Sequence, residues 1–186
     1  MTVAEAAPSP DPSPGPPAEA MRAAFRELHG RRLHGFALLL TQGDRHAAAR
    51  LASEALAAGT ARIGELRHPE RAAAWLRRRV VERAKLRPIG PTDRHTLLEL
   101  GADAAVVGAI AALDRLERAA LIASAVERLD RRDVATVVGR DGSSLDRLMR
   151  QARETFTRVH AELAQEQASD GPIMTHLRTV AQRAMT

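Results

Sequence analysis

The 186-residue sequence contains no cysteine, no tyrosine and few aromatic residues of any kind. The absence of cysteine excludes disulfide bonds, thiolate zinc sites and cysteine-based catalysis, and it favours a reducing compartment. Aromatic residues make up only 2% of the chain, so a core must be built from aliphatic side chains. Because Ala and Leu favour helices, whereas strands are enriched in β-branched and aromatic residues, this composition predicts an all-α fold.

Long apolar runs are also missing. No segment approaches the ~20 consecutive apolar residues that a membrane-spanning helix needs. The N-terminus lacks the basic region followed by an apolar stretch that marks a secretory signal. We therefore expect a soluble, cytoplasmic protein.

Recognisable patterns for catalysis or metal binding are absent as well. The seven histidines are scattered, and no two have the i, i+4 spacing with an intervening Glu that is typical of a helical zinc site. The segment Gly139-Arg140-Asp141-Gly142 lacks the flanking pattern of a phosphate-binding loop, and no Ser, His and Asp residues align as a triad. We therefore expect no metal site, no cofactor and no enzymatic activity.

Charge is distributed unevenly along the chain. The net charge is +5, yet the first twenty residues contain three acidic residues and no basic one. A basic folded part with an acidic tail is typical of proteins that bind polyanions such as nucleic acid. All but one of the 28 basic residues are arginine, so a GC-rich genome is an alternative explanation of the excess.

Proline and glycine suggest how the chain is divided. Six of the ten prolines lie in the first twenty residues, which have too few large apolar side chains to form a core. Pro88, Gly90 and Pro91 interrupt the helical pattern in the middle of the chain. We predict a disordered tail (1–20), a small helical domain (21–87), a linker (88–108), a second small helical domain (109–166) and a C-terminal tail with a short helix (167–186).

The first domain is predicted to contain three helices. Helical periodicity begins near Met21 and stops before Gly43. Asp44 can cap a second helix, which runs to about Leu66, and Pro69 suits the first turn of a third.

The clearest periodicity lies in the second domain. Apolar residues from Leu145 to Leu163 form one stripe along a long helix. A short helix at about Arg131–Val138 and the glycine turn 139–142 precede this stripe. A short helix, a tight turn and a longer helix are the parts of a helix-turn-helix, whose second helix enters the major groove of DNA. The alternative is a helical hairpin with a solvated charged face.

Residues on the outward face near the start of this second helix are candidate DNA contacts. Arg can bind guanine through two hydrogen bonds, and hydroxyl or amide side chains can reach bases or phosphates. Asp146 has capping-box spacing from Ser143, so a capping role is favoured over a contact with cytosine. The candidates are Arg140, which suits a phosphate, together with Ser143, Ser144, Asp146, Arg147, Arg150, Gln151 and Arg153.

Both predicted domains resemble parts of the extracytoplasmic-function (ECF) sigma factors of bacterial RNA polymerase. The matching stretches of the first domain are Phe25–Gly30 and Pro69-Glu70 followed by Ala74-Trp75-Leu76. Those of the second are Arg118-Ala119-Ala120-Leu121, Val126-Glu127-Arg128-Leu129, Asp133-Val134-Ala135 and Ser144-Leu145, which align at the family's spacing without a gap.

The resemblance implies a sigma factor that directs RNA polymerase to promoters through helix-turn-helix DNA binding. Its partners would be core RNA polymerase and promoter DNA, with an anti-sigma factor as a third. It assigns polymerase binding to the second helix, at Leu51, Glu54, Ala55 and Leu56. The arginines of the third helix would lie near the downstream promoter element or its backbone; these are Arg71, Arg77, Arg78 and Arg79.

The second helix departs from the family's pattern. An acidic residue is lost, Leu56 replaces a bulky aromatic residue, and the stretch Gly59–Arg62 lacks the aromatic residue used in strand opening. Truncating a large interface side chain typically costs ~2 kcal/mol or more of binding free energy. Two alternatives therefore stay open. One is a sigma-like DNA-binding regulator without productive polymerase docking. The other is a helical protein-interaction module, since Asp146 and Glu154 offset two arginines of the DNA-binding helix.

Overall fold

Among residues 18–66, 68–85 and 91–184, which the computed structural model describes, the chain forms eight α-helices and no strand. The all-α prediction is confirmed. The Pro-rich segment up to residue 17 lies outside the described residues. The helices are α1 (Ala18–Leu40), α2 (Arg45–Ala61), α3 (Pro69–Arg83), α4 (Pro91–Glu99), α5 (Ala104–Ala111), α6 (Arg115–Leu121, continued by a π-helical segment Ile122–Val126), α7 (Arg131–Val138) and α8 (Gly142–Ala184).

Local signals in the sequence set the boundaries of the first three helices. Gln42 and Gly43 adopt positive φ angles of 60° and 95°, which end α1. The carboxylate of Asp44 then accepts a hydrogen bond from the backbone N–H of Ala47 at 2.9 Å, as predicted for an N-cap. Pro69 stands in the first turn of α3. Helix α2 ends at Ala61, before the predicted end near Leu66.

Helix α6 changes from α-helical to π-helical geometry along its length. Asp114 and Glu117 form a full capping box at the start of α6. After Leu121 the backbone widens into the π-helical segment, and the N–H of Glu127 donates to the carbonyl of Ile122 at 3.0 Å. This wide turn ends with Glu127 in an ion pair with Arg77 of α3. A contact between distant segments therefore accompanies the irregular helix end.

The region predicted to be a linker contains packed helices. Residues 91–99 form α4, and α5 begins at Ala104, where Asp103 accepts hydrogen bonds from two backbone N–H groups at 2.8 and 3.2 Å. The apolar side chains of α5 are buried because this helix packs on α8. Residues 86–90, which include Pro88 and Gly90, lie outside the described residues.

Helix α8 continues to Ala184, so its backbone does not break at Gly171-Pro172, where the sequence predicted the start of a separate tail helix. A proline inside a helix removes one hydrogen bond and can kink the helix without ending it.

A single core joins the two parts of the chain that were predicted to be separate domains. Buried side chains of α1–α3 and of α6–α8 belong to one apolar cluster. Arginines reinforce this junction: Arg118 donates to the carbonyl of Leu40 at 2.9 Å, and Arg115 donates to those of Val81 and Ala84 at 3.0 and 3.2 Å. We refer below to α1–α3 as the N-terminal half and to α6–α8 as the C-terminal half.

Candidate nucleic-acid interface

The turn between α7 and α8 has the geometry expected of a helix-turn-helix. Gly139 ends α7 in the left-handed region, with φ of 63°. The N–H of Arg140 donates to the carbonyl of Ala135 at 3.2 Å, which closes the helix end in a Schellman-type arrangement. The first hydrogen bond of α8 follows at once, from the N–H of Leu145 to the carbonyl of Asp141 at 3.0 Å.

Packing against the core determines which face of α8 points outward. Leu145 and Ala152 are 2% and 0% exposed, and Leu145 packs in the same cluster as Val134 and Val137 of α7. Leu148 and Met149 are partly buried against this cluster. The predicted apolar stripe therefore forms the inner face at the start of the helix, and the polar residues between Leu145 and Ala152 are left at the surface.

All eight DNA-contact candidates of the C-terminal half are exposed. They lie in the turn and along the first three turns of α8. Among the described residues, the side chains of Arg140 and Arg147 make no hydrogen bond or ion pair, so both guanidinium groups can bind a ligand without losing a protein partner. Arg150 makes only a loose pair with Glu154, at 4.0 Å.

Asp146 does not have the predicted capping role and instead pairs with Arg131. One carboxylate oxygen of Asp146 accepts from Arg131 at 3.0 Å, and Arg131 also donates to the carbonyl of Gly142 at 3.3 Å. The hydrogen bonds and charge of Arg131 lower the pKa of Asp146. Asp146 therefore links the start of α7 to the start of α8, because the guanidinium of Arg131 is a stronger partner than a backbone N–H.

The four arginines predicted on α3 have different environments. Arg77 is only 2% exposed: it pairs with Glu127, donates to the carbonyl of Ala73 at 3.0 Å, and its guanidinium lies over the ring of Phe36. The prediction that Arg77 faces DNA therefore does not match its position, because this side of α3 points into the core.

The other three arginines of α3 lie at or near the surface. Arg71 and Arg78 are exposed, and Arg79 is half-buried. The guanidinium of Arg79 lies over the ring of Trp75 and donates to Glu82. Arg78 also donates to Glu82, at 2.9 Å, and its guanidinium lies beside Gly139. Arg78 lies beside the turn of the helix-turn-helix, whereas Arg71 lines a groove with Asp133 and Thr136 of α7.

The residues implied in polymerase binding are mostly turned away from solvent. Leu51 and Ala55 are 2% and 3% exposed and belong to the core, and Leu56 is half-buried against Gly30. Only Glu54 is exposed, and it pairs with Arg50 at 3.1 Å. The rest of the exposed face of α2 is small or polar, and it comprises Arg45, His46, Ala49, Arg50, Ser53, Ala57 and Ala61.

Sequence reasoning missed the buried arginines that join the two halves. Arg118 is 3% exposed, and burial lowers its pKa to about 10, partly offset by the charge of Asp114. Its guanidinium donates to the carbonyl of Leu40 at the end of α1 and to those of Ile110 and Leu113 at the end of α5 and just after it. Residue type gave no warning of this, since arginine is mostly exposed in proteins. The sequence did offer one indication, because Arg118 is followed by two small apolar residues, Ala119 and Ala120. Both of these are fully buried in the structure.

No known protein-family model matches this sequence, and no curated protein matches it significantly. None of the helices in the described part of the chain combines the length and apolar character needed to cross a membrane. Within the same residues, no three His, Asp or Glu side chains are grouped as metal ligands would be.

Proposed function

We propose that this protein is a helix-turn-helix transcription regulator of the ECF sigma type, which binds duplex promoter DNA with the first turns of α8. One observation carries the proposal. A left-handed glycine turn joins α7 to α8, and the buried Leu145 and Ala152 leave Ser143, Arg147 and Arg150 exposed at the start of the longer helix.

The exposed residues suit the chemistry of a major groove. Arg147 and Arg150 carry the planar donors that bind guanine, and Gln151 can pair with adenine. The hydroxyl groups of Ser143 and Ser144 can donate to phosphates beside the N-terminus of α8, where the helix dipole favours negative charge. Arg140 adds a phosphate contact from the turn. This set divides naturally into residues that position the helix and residues that distinguish sequences.

A complete sigma factor, which also binds core RNA polymerase, is the second candidate. The stretches of both halves that align with ECF sigma factors favour it. The exposed face of α2 argues for the regulator, because Ala49, Ser53 and Ala57 offer no large apolar side chain to a partner. Its two arginines, Arg45 and Arg50, are already paired with Glu99 and Glu54. Interfaces depend on a few large side chains that become buried.

Selection of bound duplexes from a random-sequence DNA library by the purified full-length protein tests the proposal. We expect enrichment of a defined sequence, bound with an affinity that falls steeply between low and moderate salt because several phosphates are contacted. The absence of enrichment and of any duplex binding would contradict the proposal and leave a protein-interaction module.

Reconstitution with bacterial core RNA polymerase separates the two candidates. Co-elution with the polymerase and run-off transcription from a template carrying the selected sequence would identify a complete sigma factor. DNA binding without co-elution would identify the stand-alone regulator.

A further inference from the structure

An arginine of the N-terminal half and the turn of the helix-turn-helix lie on one surface, although they are far apart in the sequence. A Cβ atom placed on Gly139 would be 3.9 Å from both the guanidinium carbon and a terminal nitrogen of Arg78. Arg140, the next residue in the chain, is exposed. Two cationic side chains from different halves therefore border the same turn.

The backbone of α3 is tied to the C-terminal half on both sides of Arg78. The preceding residue, Arg77, forms the buried ion pair with Glu127. Further along, the carbonyls of Val81 and Ala84 accept hydrogen bonds from Arg115. These contacts fix the position of Arg78 before any ligand arrives, which reduces the entropy that binding must overcome.

Hydrogen bonding also orients the side chain of Arg78. Its Nε donates to Glu82 at 2.9 Å, while one of its terminal nitrogens lies beside Gly139. The side chain is 48% exposed, so the guanidinium remains accessible to solvent.

The charges along the seam between α3 and α7 distinguish its two ends. A shallow groove of about 470 Å³ follows this seam. Four carboxylates, those of Glu65, Glu70, Asp130 and Asp133, line this groove together with Arg71 and Arg132, so acidic residues are in excess where both helices begin. Arg78 and Arg140 lie where both helices end, next to the start of α8. An anionic polymer is therefore favoured at the end of the seam that adjoins the exposed face of α8.

We propose that Arg78 and Arg140 together bind the phosphate backbone of one duplex segment, so that both halves of the protein contact a single continuous stretch of DNA. This inference rests on the proposed function, because its partner is the same duplex. Duplex DNA carries one negative charge per ~1.7 Å of its axis, so neighbouring cations held on a rigid surface find neighbouring phosphates. Contact with two separated promoter elements would instead require the halves to part and the Arg77–Glu127 pair to break.

Fluorescence anisotropy with the selected duplex, measured over a range of salt concentrations, tests the role of Arg78. We expect Arg78→Ala to weaken binding about tenfold, the size of one charge-assisted hydrogen bond. The slope of log K against log salt should fall by about 1, and this loss should be the same for every duplex sequence. Arg78→Lys keeps the charge and should retain most of the slope.

Arg50→Ala is the matched control, because Arg50 pairs with Glu54 one turn along its helix as Arg78 pairs with Glu82, but it lies on α2. It should bind with the wild-type salt slope. If Arg78→Ala matches the wild type while Arg147→Ala weakens binding, the shared phosphate site is wrong and the proposed function stands. If the wild-type protein binds no duplex, both the shared phosphate site and the proposed function are wrong.

Hydroxyl-radical footprinting of the full-length protein on the same duplex gives an independent measurement. One continuous protected region, shortened at one end by Arg78→Ala, is expected. Two protected regions separated by an unprotected spacer would overturn the inference, because they would show that the halves contact different elements.

Discussion

Helices α2 and α8 use similar inner faces but present very different outer faces. Each buries leucine and alanine at helical spacing, Leu51 and Ala55 in α2 and Leu145 and Ala152 in α8, and all four are at most 3% exposed. The outer face of α2 holds small residues and two arginines, Arg45 and Arg50, that are paired with carboxylates, whereas Arg147 on the outer face of α8 has no ion-pair partner among the described residues. Similar packing therefore supports two surfaces with different capacities for recognition.

The difference between the two outer faces indicates which half of the molecule can contribute more free energy to binding a partner. Alanine and serine offer little area and few donors to a partner, so the exposed face of α2 is suited to weak contacts. Arginine at the start of α8 can neutralise phosphates and form paired hydrogen bonds with a base. The N-terminal half therefore contributes mainly by holding α3 against the C-terminal half.

The largest expected effect concerns the junction between the halves. Glu127→Ala leaves Arg77 buried without its counterion, and removing one partner of a buried pair costs about 3–5 kcal/mol. Urea denaturation measures the free energy of unfolding. Glu54→Ala on α2 is the matched control and should change stability little, because its pair with Arg50 is solvent-exposed. If both substitutions changed the free energy of unfolding equally, the buried Arg77–Glu127 pair would not stabilise the junction between the halves more than a surface ion pair does.

The second effect compares an exposed arginine on each helix. Arg147→Ala should weaken binding to the selected duplex by about 1–3 kcal/mol and relax specificity at one base pair, as expected for an arginine that contacts a base. Arg50→Ala on α2 should leave both quantities unchanged. Anisotropy titrations against the selected duplex and its single-base variants measure them. Unchanged affinity and specificity in Arg147→Ala would remove this residue from the interface.

The third effect compares two glycines. Gly139→Ala should cost about 1–2 kcal/mol of stability, because an L-residue in the left-handed region is strained. Gly35→Ala, on an open face of α1, should stabilise the protein by about 0.5–1 kcal/mol, since alanine favours the helix interior. Thermal unfolding measures both effects, and we expect Tm to fall in Gly139→Ala and to rise in Gly35→Ala. A gain in Tm for Gly139→Ala would argue against the left-handed turn.

The smallest effect concerns pH and His29, which is buried against the ring of Phe25 in α1. Burial, and secondarily the charge of Arg77, lowers the pKa of His29 below its usual 6.5. The unfolded chain then binds a proton that the folded chain resists, so stability should fall as pH decreases below about 6.5. Urea denaturation across this range should show that the free energy of unfolding falls less steeply with decreasing pH in His29→Gln than in the wild type. In the exposed His34→Gln variant it should fall as in the wild type.

Local features of the fold were predictable because they depend on neighbouring residues. The cap at Asp44, the proline at the start of α3 and the glycine turn before α8 each act within a few residues of the helix end they define. The apolar stripe from Leu145 likewise follows from helical periodicity. The prediction of a linker did not foresee α5, because the apolar residues of this helix are buried by packing on α8, which is distant in the sequence.

The exposed DNA-contact candidates at the start of α8 were predictable for the same reason, since a stripe that faces inward leaves the opposite face outward. Charged side chains were harder to place. Arg77 and Arg78 are neighbours of identical type, yet one is buried against Glu127 and the other borders Gly139. Successive helix residues point in directions about 100° apart, so the packing of α3 decided the role of each.

The sequence by itself determined that this chain is helical, where several helices begin, and which residues α8 presents near its start, because propensity, capping and periodicity are local. Only the tertiary structure decided that the two halves share a core, that arginines join them through buried carbonyls and a carboxylate, and that Arg78 lies beside the turn before α8. Those contacts join residues distant in the chain, and their energy arises from burial and pairing that exist only once the helices have packed.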